Sequence, residues 1–251
     1  MSNIINLTNN ISEPVEEALR TLRTNIQFCS AEKQIKTICV TSCIPHEGKT
    51  MTTINISISI ASANKKVVYI DADMRKPRQF KKIASRYNAG LANYLSGMAE
   101  LDDIVRETNI ENLHMIVCGP KPPNPAELLG TSRFLELLEK LKERYDYIII
   151  DTPPLGSMID AAIIAAAADG TIMLVKYNTI DYRKALKVKE QLEKANARIM
   201  GVVLNKIPKK DYGDYYYYDY NYHYGHSSKK YGSTRGSARN NSKDSARESA
   251  D

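Results

Sequence analysis

Long apolar segments are missing from this chain of 251 residues. A membrane-spanning helix needs about 18 consecutive apolar residues or more, and the longest candidate, Ala161–Ala168, is ended by Asp169. The N-terminal sequence also lacks the basic and apolar regions of a signal peptide. The sequence therefore predicts a cytoplasmic protein whose association with a membrane depends on a partner.

Disulfide and metal-ligand patterns are missing as well. The four cysteines, Cys29, Cys39, Cys43 and Cys118, show no close paired spacing, which predicts free thiols in a reducing compartment. The four histidines form no zinc-ligand spacing with them, so we expect no zinc site. The net charge of +6 is modest for this length and does not indicate the concentrated basic stripe of a dedicated nucleic-acid-binding protein. We therefore expect no nucleic-acid partner.

Short β-branched apolar runs alternate with helical patterns along the chain. Such alternation predicts an α/β fold with a doubly wound, mostly parallel sheet. The predicted strands, all expected to be buried on both faces, are Thr37–Thr41, Val67–Ile70, Leu113–Val117, Tyr147–Ile150, Thr171–Val175 and Ile199–Leu204. The predicted helices are Glu13–Phe28, Thr50–Ala63, Ser132–Arg144, Asp160–Ala168 and Arg183–Ala195.

The composition changes abruptly after Pro208. The segment Lys209–Asp251 contains no Val, Ile, Leu, Met or Phe and is rich in Tyr, Gly, Ser, Asn, Asp, Lys and Arg. Because such a segment cannot form a second core, we predict a disordered, tyrosine-rich C-terminal tail. The predicted divisions are an N-terminal helix within 1–30, a globular domain at 31–208 and the tail at 209–251.

A phosphate-binding loop is predicted at Thr41–Thr50, TSCIPHEGKT, which follows an apolar strand and opens a helix. Backbone N–H groups and the helix N-terminus attract phosphate in such a loop. Gly48 would allow close backbone approach, the Lys49 ammonium group would reach the β- and γ-phosphates, and the Thr50 hydroxyl group would bind Mg²⁺. Cys43 stands where the general pattern has its first glycine. Taken alone, the segment could also be a solvated turn.

Acidic residues directly follow two other predicted strands. Asp71 and Asp73 come after one, and Asp151 comes after the other. A single acidic residue here could be only a helix cap or a turn former. Ligands of open α/β sheets, however, lie at the carboxyl ends of the strands, so these residues and the loop together predict an ATP and Mg²⁺ site. Asp151 would serve the ion and Asp71 would accept a proton, while Asp73 would help to hold the ion or Arg75.

These features resemble the bacterial tyrosine kinase family, P-loop enzymes that govern capsule and exopolysaccharide synthesis. The resemblance extends over about the whole chain and rests on the loop Thr41–Thr50, the motif IDADMR at Ile70–Arg75, the motif IDTPP at Ile150–Pro154, and the tyrosine-rich tail. The family's loop also lacks the first glycine. Membership implies a P-loop NTPase fold and an ATP- and Mg²⁺-dependent protein-tyrosine kinase.

The resemblance also implies roles for individual residues. Lys49, Asp71 and Asp73 would be catalytic, and the metal ion would be held by Thr50, Asp73 and Asp151. The nucleotide-binding residues would be Pro45, His46, Glu47, Gly48, Lys49, Thr50, Met51 and, as the adenine contact, Asn205.

Charged residues near the N-terminus recur at every third position in the sequence EALRTLR. Glu17, Arg20 and Arg23 therefore lie on one face of the predicted helix. This pattern could be an ordinary solvated face. It is also similar to a family motif that builds a closed ring, so we expect a homo-oligomer in which the tail of one subunit reaches its neighbour's site.

Nine tyrosines crowd the predicted tail. The tail could instead be a stacking platform for single-stranded nucleic acid or a low-complexity segment. No arginine lies among the clustered tyrosines, however, and the acids there would repel phosphates. Each added phosphate would bring about 1.5 to 2 negative charges, so phosphorylation should loosen the ring. The expected acceptors are Tyr212, Tyr215, Tyr216, Tyr217, Tyr218, Tyr220, Tyr222, Tyr224 and Tyr231.

Two other functions are compatible with the predicted fold. One is an ATPase switch of the partitioning or positioning class, which usually carries a second lysine early in the loop, where this chain has Ile44. The other is a nucleotide-gated scaffold for a polysaccharide export complex. The family resemblance instead implies a kinase for protein tyrosine substrates that works with a separate transmembrane activator protein, which would recruit it to the inner face of the membrane.

Overall fold

The computed structural model describes residues 4–8, 11–30, 34–75, 89–208 and 210–211. The chain divides into two compact units, Met1–Ile207 and Pro208–Asp251, and the second lies almost entirely outside the described residues. All nine predicted phosphate acceptors, from Tyr212 to Tyr231, are among the residues outside the described ranges. The sheet and the helices that pack on it belong to the first unit.

In the described part of the chain, seven strands form one sheet. The strands are β1 (Thr37–Ser42), β2 (Val67–Asp71), β3 (Val105–Glu107), β4 (Leu113–Ile116), β5 (Tyr147–Asp151), β6 (Gly170–Lys176) and β7 (Ile199–Asn205). Their order in the sheet is β3-β4-β2-β5-β1-β6-β7. The pair β3–β4 is antiparallel and the other neighbouring pairs are parallel, which confirms the predicted mostly parallel sheet.

Helices cover both faces of this sheet. No described helix combines the length and the hydrophobicity that a membrane-spanning segment needs. The described helices are α1 (Glu13–Cys29), α2 (Lys49–Ala61), α3 (Leu91–Leu95), α4 (Leu101–Ile104), α5 (Pro125–Leu129), α6 (Ser132–Arg144), α7 (Asp160–Ala167) and α8 (Tyr182–Lys194).

Two apolar cores lie on opposite faces of the sheet. Successive side chains of a strand point to opposite faces, so a strand that is covered on both sides contributes alternate residues to each core. In β2, Val68 and Ile70 belong to one core, whereas Val67 and Tyr69 belong to the other. This double burial explains why the central strands are apolar without an alternating polar pattern.

The predicted elements are all present, with ends that differ by no more than two residues. The prediction that every strand is buried on both faces is wrong for β7. This strand is at the edge of the sheet, and the side chains of Val202 and Leu204 are 58% and 36% exposed. The sequence patterns also missed the short elements β3, α3, α4 and α5, which contain too few residues to show a period.

The four cysteines are free thiols, as predicted. Cys39 lies in β1 and is fully buried. Burial raises the pKa of its thiol to about 12, so the group stays protonated at neutral pH.

Asp169 connects the start of β1 to the segment that enters β6. Its Oδ2 atom accepts hydrogen bonds from the backbone N–H groups of Lys36 (3.0 Å) and Thr37 (2.8 Å), and Lys142 Nζ lies 3.4 Å from Oδ1. Burial alone would raise the pKa of Asp169, but the two N–H donors and Lys142 together hold it below its usual value. A lowered pKa means that this carboxylate stabilises the fold above pH 3.8, its ordinary pKa, and that the stabilisation is lost as the pH falls through the folded-state pKa.

We expect Asp169→Ala to lower the free energy of unfolding at pH 7 by about 2 kcal/mol, because two backbone donors lose a charged acceptor. The deficit should shrink as the pH falls and the wild-type carboxylate becomes protonated. Urea unfolding across this pH range measures both effects. The control is Asp102→Ala, which removes an ion pair from an 81% exposed carboxylate and should change stability by about 0.5 kcal/mol or less. Equal losses in the two variants would contradict the assignment.

Candidate functional site

A cavity of about 660 Å³ opens at the carboxyl edge of the sheet, within the size range of small-molecule sites. The loop between β1 and α2, the ends of β2 and β5, and the loop that follows β5 form its walls. Most of the residues predicted to be catalytic, nucleotide-binding or metal-binding line this cavity. The lining residues are Ser42, Ile44, Pro45, His46, Gly48, Lys49, Thr50, Met51, Asp71, Asp73, Arg75, Asp151, Pro153, Pro154, Ser157, Met158 and Lys206.

Gly48 lies at the junction between the phosphate loop and α2. Its φ angle is +93°, in the left-handed region that favours glycine. A Cβ atom at this position would also come within 2.4 Å of Asn205 Nδ2. Gly48 therefore allows α2 to begin at Lys49, where the unpaired N–H groups of the first helical turn can attract phosphate.

The Glu47 side chain supports the phosphate loop from within. It is 1% exposed, and its two oxygens accept hydrogen bonds from the backbone N–H groups of Ile44 (2.9 Å) and Lys176 (2.9 Å). Asn205 Nδ2 donates to the Glu47 carbonyl oxygen at 2.8 Å. Glu47 and Asn205 thus lie behind the loop and do not line the cavity. Contact between Asn205 and adenine stays a prediction.

Two further contacts involve backbone carbonyl groups of the phosphate loop. Lys206 Nζ donates to the His46 carbonyl oxygen at 2.8 Å. Gly156, in the loop after β5, packs so closely that a Cβ atom there would come within 2.2 Å of the Cys43 carbonyl oxygen. Neither contact could be found from the sequence, because each joins residues far apart in the chain without a local pattern.

A buried carboxylate network lies at the floor of the cavity. Lys49 Nζ is 2.6 Å from Asp151 Oδ1, and both side chains are almost fully buried. The Tyr69 hydroxyl group donates to Asp151 Oδ2 at 3.1 Å. Asp71 pairs with Asp151 in the strand register, which brings the two acidic residues side by side on one face of the sheet.

Asp71 has a perturbed acidity. Burial, followed by the nearby charge of Asp151, raises its pKa to about 7, while the Asp73 N–H group (3.1 Å from Asp71 Oδ1) and Lys49 act in the opposite direction. A carboxylate with a pKa near the working pH is suited to accept a proton. The general-base role of Asp71 stays a prediction.

Arg75 is held at the edge of the cavity by Asp160. Its Nε and Nη2 atoms donate to the two Asp160 oxygens at 2.7 and 2.8 Å, and the Asp160 side chain is fully buried. Asp160 was not predicted as a site residue. Its one sequence signal is that it begins an otherwise apolar helix, DAAIIAAA, where it could equally serve the helix dipole.

The donor groups fit Mg²⁺. Thr50, Asp73 and Asp151 offer hydroxyl and carboxylate oxygens, the hard ligands that this ion prefers. Within the described ranges, no three or more His, Cys, Asp or Glu side chains form a group that could hold a metal ion. When bound, Mg²⁺ would keep several waters and use phosphate oxygens together with one or two of these carboxylates.

The predicted oligomer residues differ in their surroundings. On α1, Arg20 lies at the surface, 2.7 Å from Glu16 and 3.6 Å from Glu17. Arg23 instead turns toward α2 and donates to the Ser59 carbonyl oxygen at 2.6 Å. Glu17 and Arg20 are thus exposed, whereas the hydrogen bond from Arg23 to Ser59 connects α1 to α2.

Comparison with known proteins gives one family match, two similar proteins and one similar solved structure. The family model for the AAA domain matches residues 35–199. A tyrosine-protein kinase of Streptococcus agalactiae, CpsD, is 41% identical over 209 residues, which cover 81% of this chain and 90% of that protein. CapB of Staphylococcus aureus, a putative tyrosine-protein kinase, is 36% identical over 204 residues, with coverage of 81% and 90%. The solved kinase domain of the Escherichia coli tyrosine kinase ETK is 28% identical, with a TM-score of 0.74 and coverage of 88% and 80%.

We expect Asp71→Asn to stabilise the nucleotide-free protein at pH 8 by on the order of 2 kcal/mol, because it removes a buried charge beside Asp151. The raised pKa of Asp71 means that wild-type stability declines as the pH rises from about 4 to about 7. The variant should lack this part of the decline and match wild type near pH 4. Urea unfolding at several pH values tests this, with Glu139→Gln as the exposed control. A constant difference between Asp71→Asn and wild type at every pH would refute it.

Proposed function

The chain belongs to the bacterial tyrosine-protein kinase family, and on that basis we propose that it transfers the γ-phosphate of ATP to tyrosines of its own C-terminal segment. The observation that carries the proposal is the meeting of the phosphate loop with Asp71 and Asp151 in one cavity of about 660 Å³. CpsD is named a tyrosine-protein kinase and CapB a putative one, and both names support the same reaction.

The phosphate loop and the N-terminus of α2 would bind the ATP phosphates through backbone N–H groups. When ATP binds, the Lys49 ammonium group would leave the Asp151 carboxylate and pair with oxygens of the β- and γ-phosphates, which are also anionic. Asn205, which supports the loop from behind, is proposed to contact adenine from the same end of β7.

Asp71 is the proposed general base. It would accept the proton of the tyrosine hydroxyl group as the phenolic oxygen forms its bond to the γ-phosphorus atom. The bond from this phosphorus atom to the β–γ bridging oxygen breaks, and ADP leaves with that electron pair. When bound, Mg²⁺ supplies positive charge that offsets the phosphate charge, and Thr50, Asp73 and Asp151 would hold it.

The proposal extends to the assembly. Glu17 and Arg20 are exposed on α1 and would contact a neighbouring subunit, so that transfer occurs between subunits of a ring. The proposed acceptors are the nine tail tyrosines, whose phosphorylation would loosen the ring. A separate transmembrane activator protein would hold the kinase at the inner face of the membrane, and the regulated process would be capsular or exopolysaccharide synthesis. The family membership supports these parts of the proposal.

Intact-mass spectrometry after incubation with ATP and Mg²⁺ tests the transfer reaction. Wild-type protein, with or without a fragment of an activator, should gain mass in steps of one phosphate. Lys49→Met should gain essentially none, because it cannot pair with the phosphates, and a chain truncated after Lys210 should gain none for lack of acceptors. Exposed Lys65→Met is the matched control and should behave as wild type.

Two results would count against the proposal. If ADP accumulates while the mass of the wild-type protein stays constant, the chain is an ATPase switch without kinase activity. If the truncated chain still gains phosphate on tyrosine, the acceptors lie elsewhere. Because Lys49→Met leaves the buried Asp151 without its ion pair, circular dichroism should show that this variant is folded before its mass is interpreted.

The different surroundings of Arg20 and Arg23 predict separable effects of substitution. Arg20→Ala should reduce the mass of the assembly in solution and change the urea midpoint little, because its ion pairs are exposed. Arg23→Ala should lower the free energy of unfolding by about 1–2 kcal/mol, since it loses its hydrogen bond to Ser59. Light scattering and urea unfolding measure the two quantities. An unchanged assembly mass in Arg20→Ala would exclude this residue from the subunit contact.

A further inference from the structure

Tyr69 is a large aromatic side chain in the centre of β2 and is only 1% exposed. In the strand register it pairs with Ile149, while Asp71 pairs with Asp151. Residues two positions apart on a strand share a face, so Tyr69 and Asp151 are diagonal neighbours across the two strands. A buried tyrosine needs a hydrogen-bond partner for its hydroxyl group, and the Asp151 carboxylate accepts a hydrogen bond from it at 3.1 Å.

The Tyr69 hydroxyl group is a hydrogen-bond donor at neutral pH, because a phenol ordinarily loses its proton only near pH 10 (about 3 pH units higher). It donates this hydrogen bond to Asp151 Oδ2.

Two side chains of the described part of the chain donate to Asp151, one to each carboxylate oxygen. Lys49 occupies Oδ1 at 2.6 Å and Tyr69 occupies Oδ2 at 3.1 Å. The two donors differ in mobility. The Lys49 ammonium group ends a flexible side chain beside the phosphate loop, whereas the Tyr69 ring is packed in the apolar core on one face of the sheet. If Lys49 moves to the phosphates of ATP, the Tyr69 hydroxyl group is the one of these two donors that stays on the carboxylate.

We propose that Tyr69 is a positioning residue, which keeps the Asp151 carboxylate oriented toward the metal site when Lys49 pairs with the phosphates of ATP. This inference rests on the proposed function, since it assigns Mg²⁺ to Asp151 and the phosphates to Lys49. An outer hydrogen bond of this kind fixes the orientation of a carboxylate and restricts its rotation, which favours ion binding.

The test compares Tyr69→Phe with Tyr94→Phe. Tyr94 is a second buried tyrosine, 2% exposed, whose hydroxyl group meets Lys140 Nζ at 3.4 Å rather than any residue of the site. Both variants lose one hydroxyl group and keep the ring. A fluorescent ATP analogue is titrated into each protein in EDTA, and Mg²⁺ is then titrated at a fixed analogue concentration.

We expect Tyr69→Phe to raise the Mg²⁺ concentration for half-maximal fluorescence change by about tenfold. Affinity for the analogue in EDTA should stay within about twofold of wild type, because the phosphate loop is unchanged. Tyr94→Phe should match wild type in both titrations. A Tyr69→Phe curve that coincides with the Tyr94→Phe curve would overturn the inference and leave the proposed function intact. If Mg²⁺ has no effect on analogue binding by the wild-type protein, both the inference about Tyr69 and the proposed function are wrong.

A double variant shows whether Tyr69 acts through Asp151. Asp151→Asn should itself raise the Mg²⁺ requirement, and adding Tyr69→Phe should then produce no further increase, because the carboxylate that the hydroxyl group orients is already absent. A further tenfold increase in the double variant would mean that Tyr69 affects the site by another route, and the inference would be wrong.

Discussion

Lys49 and Asp151 form a buried ion pair at the point where the phosphate loop meets the sheet, with 2.6 Å between Nζ and Oδ1. Breaking such a pair by removing one partner leaves an uncompensated charge in the interior, at a cost of about 3–5 kcal/mol. The pair therefore ties the start of α2 to the end of β5 and sets the floor of the cavity. In the proposed reaction Lys49 exchanges one anionic oxygen for another, so the loop can bind phosphate without a change of fold.

The loop around this ion pair is shaped mainly by contacts to its backbone. Glu47 uses both carboxylate oxygens on N–H groups of the loop and of β6, and Asn205 binds the Glu47 carbonyl oxygen. Gly48 and Gly156 permit approaches that any Cβ atom would block. The N–H groups that would meet the phosphates are thus arranged by the protein itself, which reduces the ordering that a nucleotide must cause on binding.

The position of Asp71 in the sheet, beside Asp151, determines how readily it gains or loses a proton. Asp71 and Asp151 end adjacent parallel strands, and burial together with the nearby charge of Asp151 raises the pKa of Asp71 toward neutrality. The sequence indicated both residues, because each follows a β-branched run directly. It could not indicate Tyr69 as a site residue, since a tyrosine inside an apolar strand is indistinguishable from a core residue until the neighbouring strand is known. Asp160 was missed for the same reason, because its partner Arg75 lies on another element.

The sequence by itself determined the α/β class, the mostly parallel sheet, the phosphate loop and the carboxylates at the strand ends. These features depend on local patterns: runs of apolar residues, and polar residues immediately after them. The tertiary structure decided which strand lies at the edge, so that β7 is partly exposed, and which side chains pair across the sheet. It also separated the surface residue Arg20 from Arg23, which binds Ser59. Strand order and long-range pairing arise from packing between distant segments, and such packing has no period along the chain.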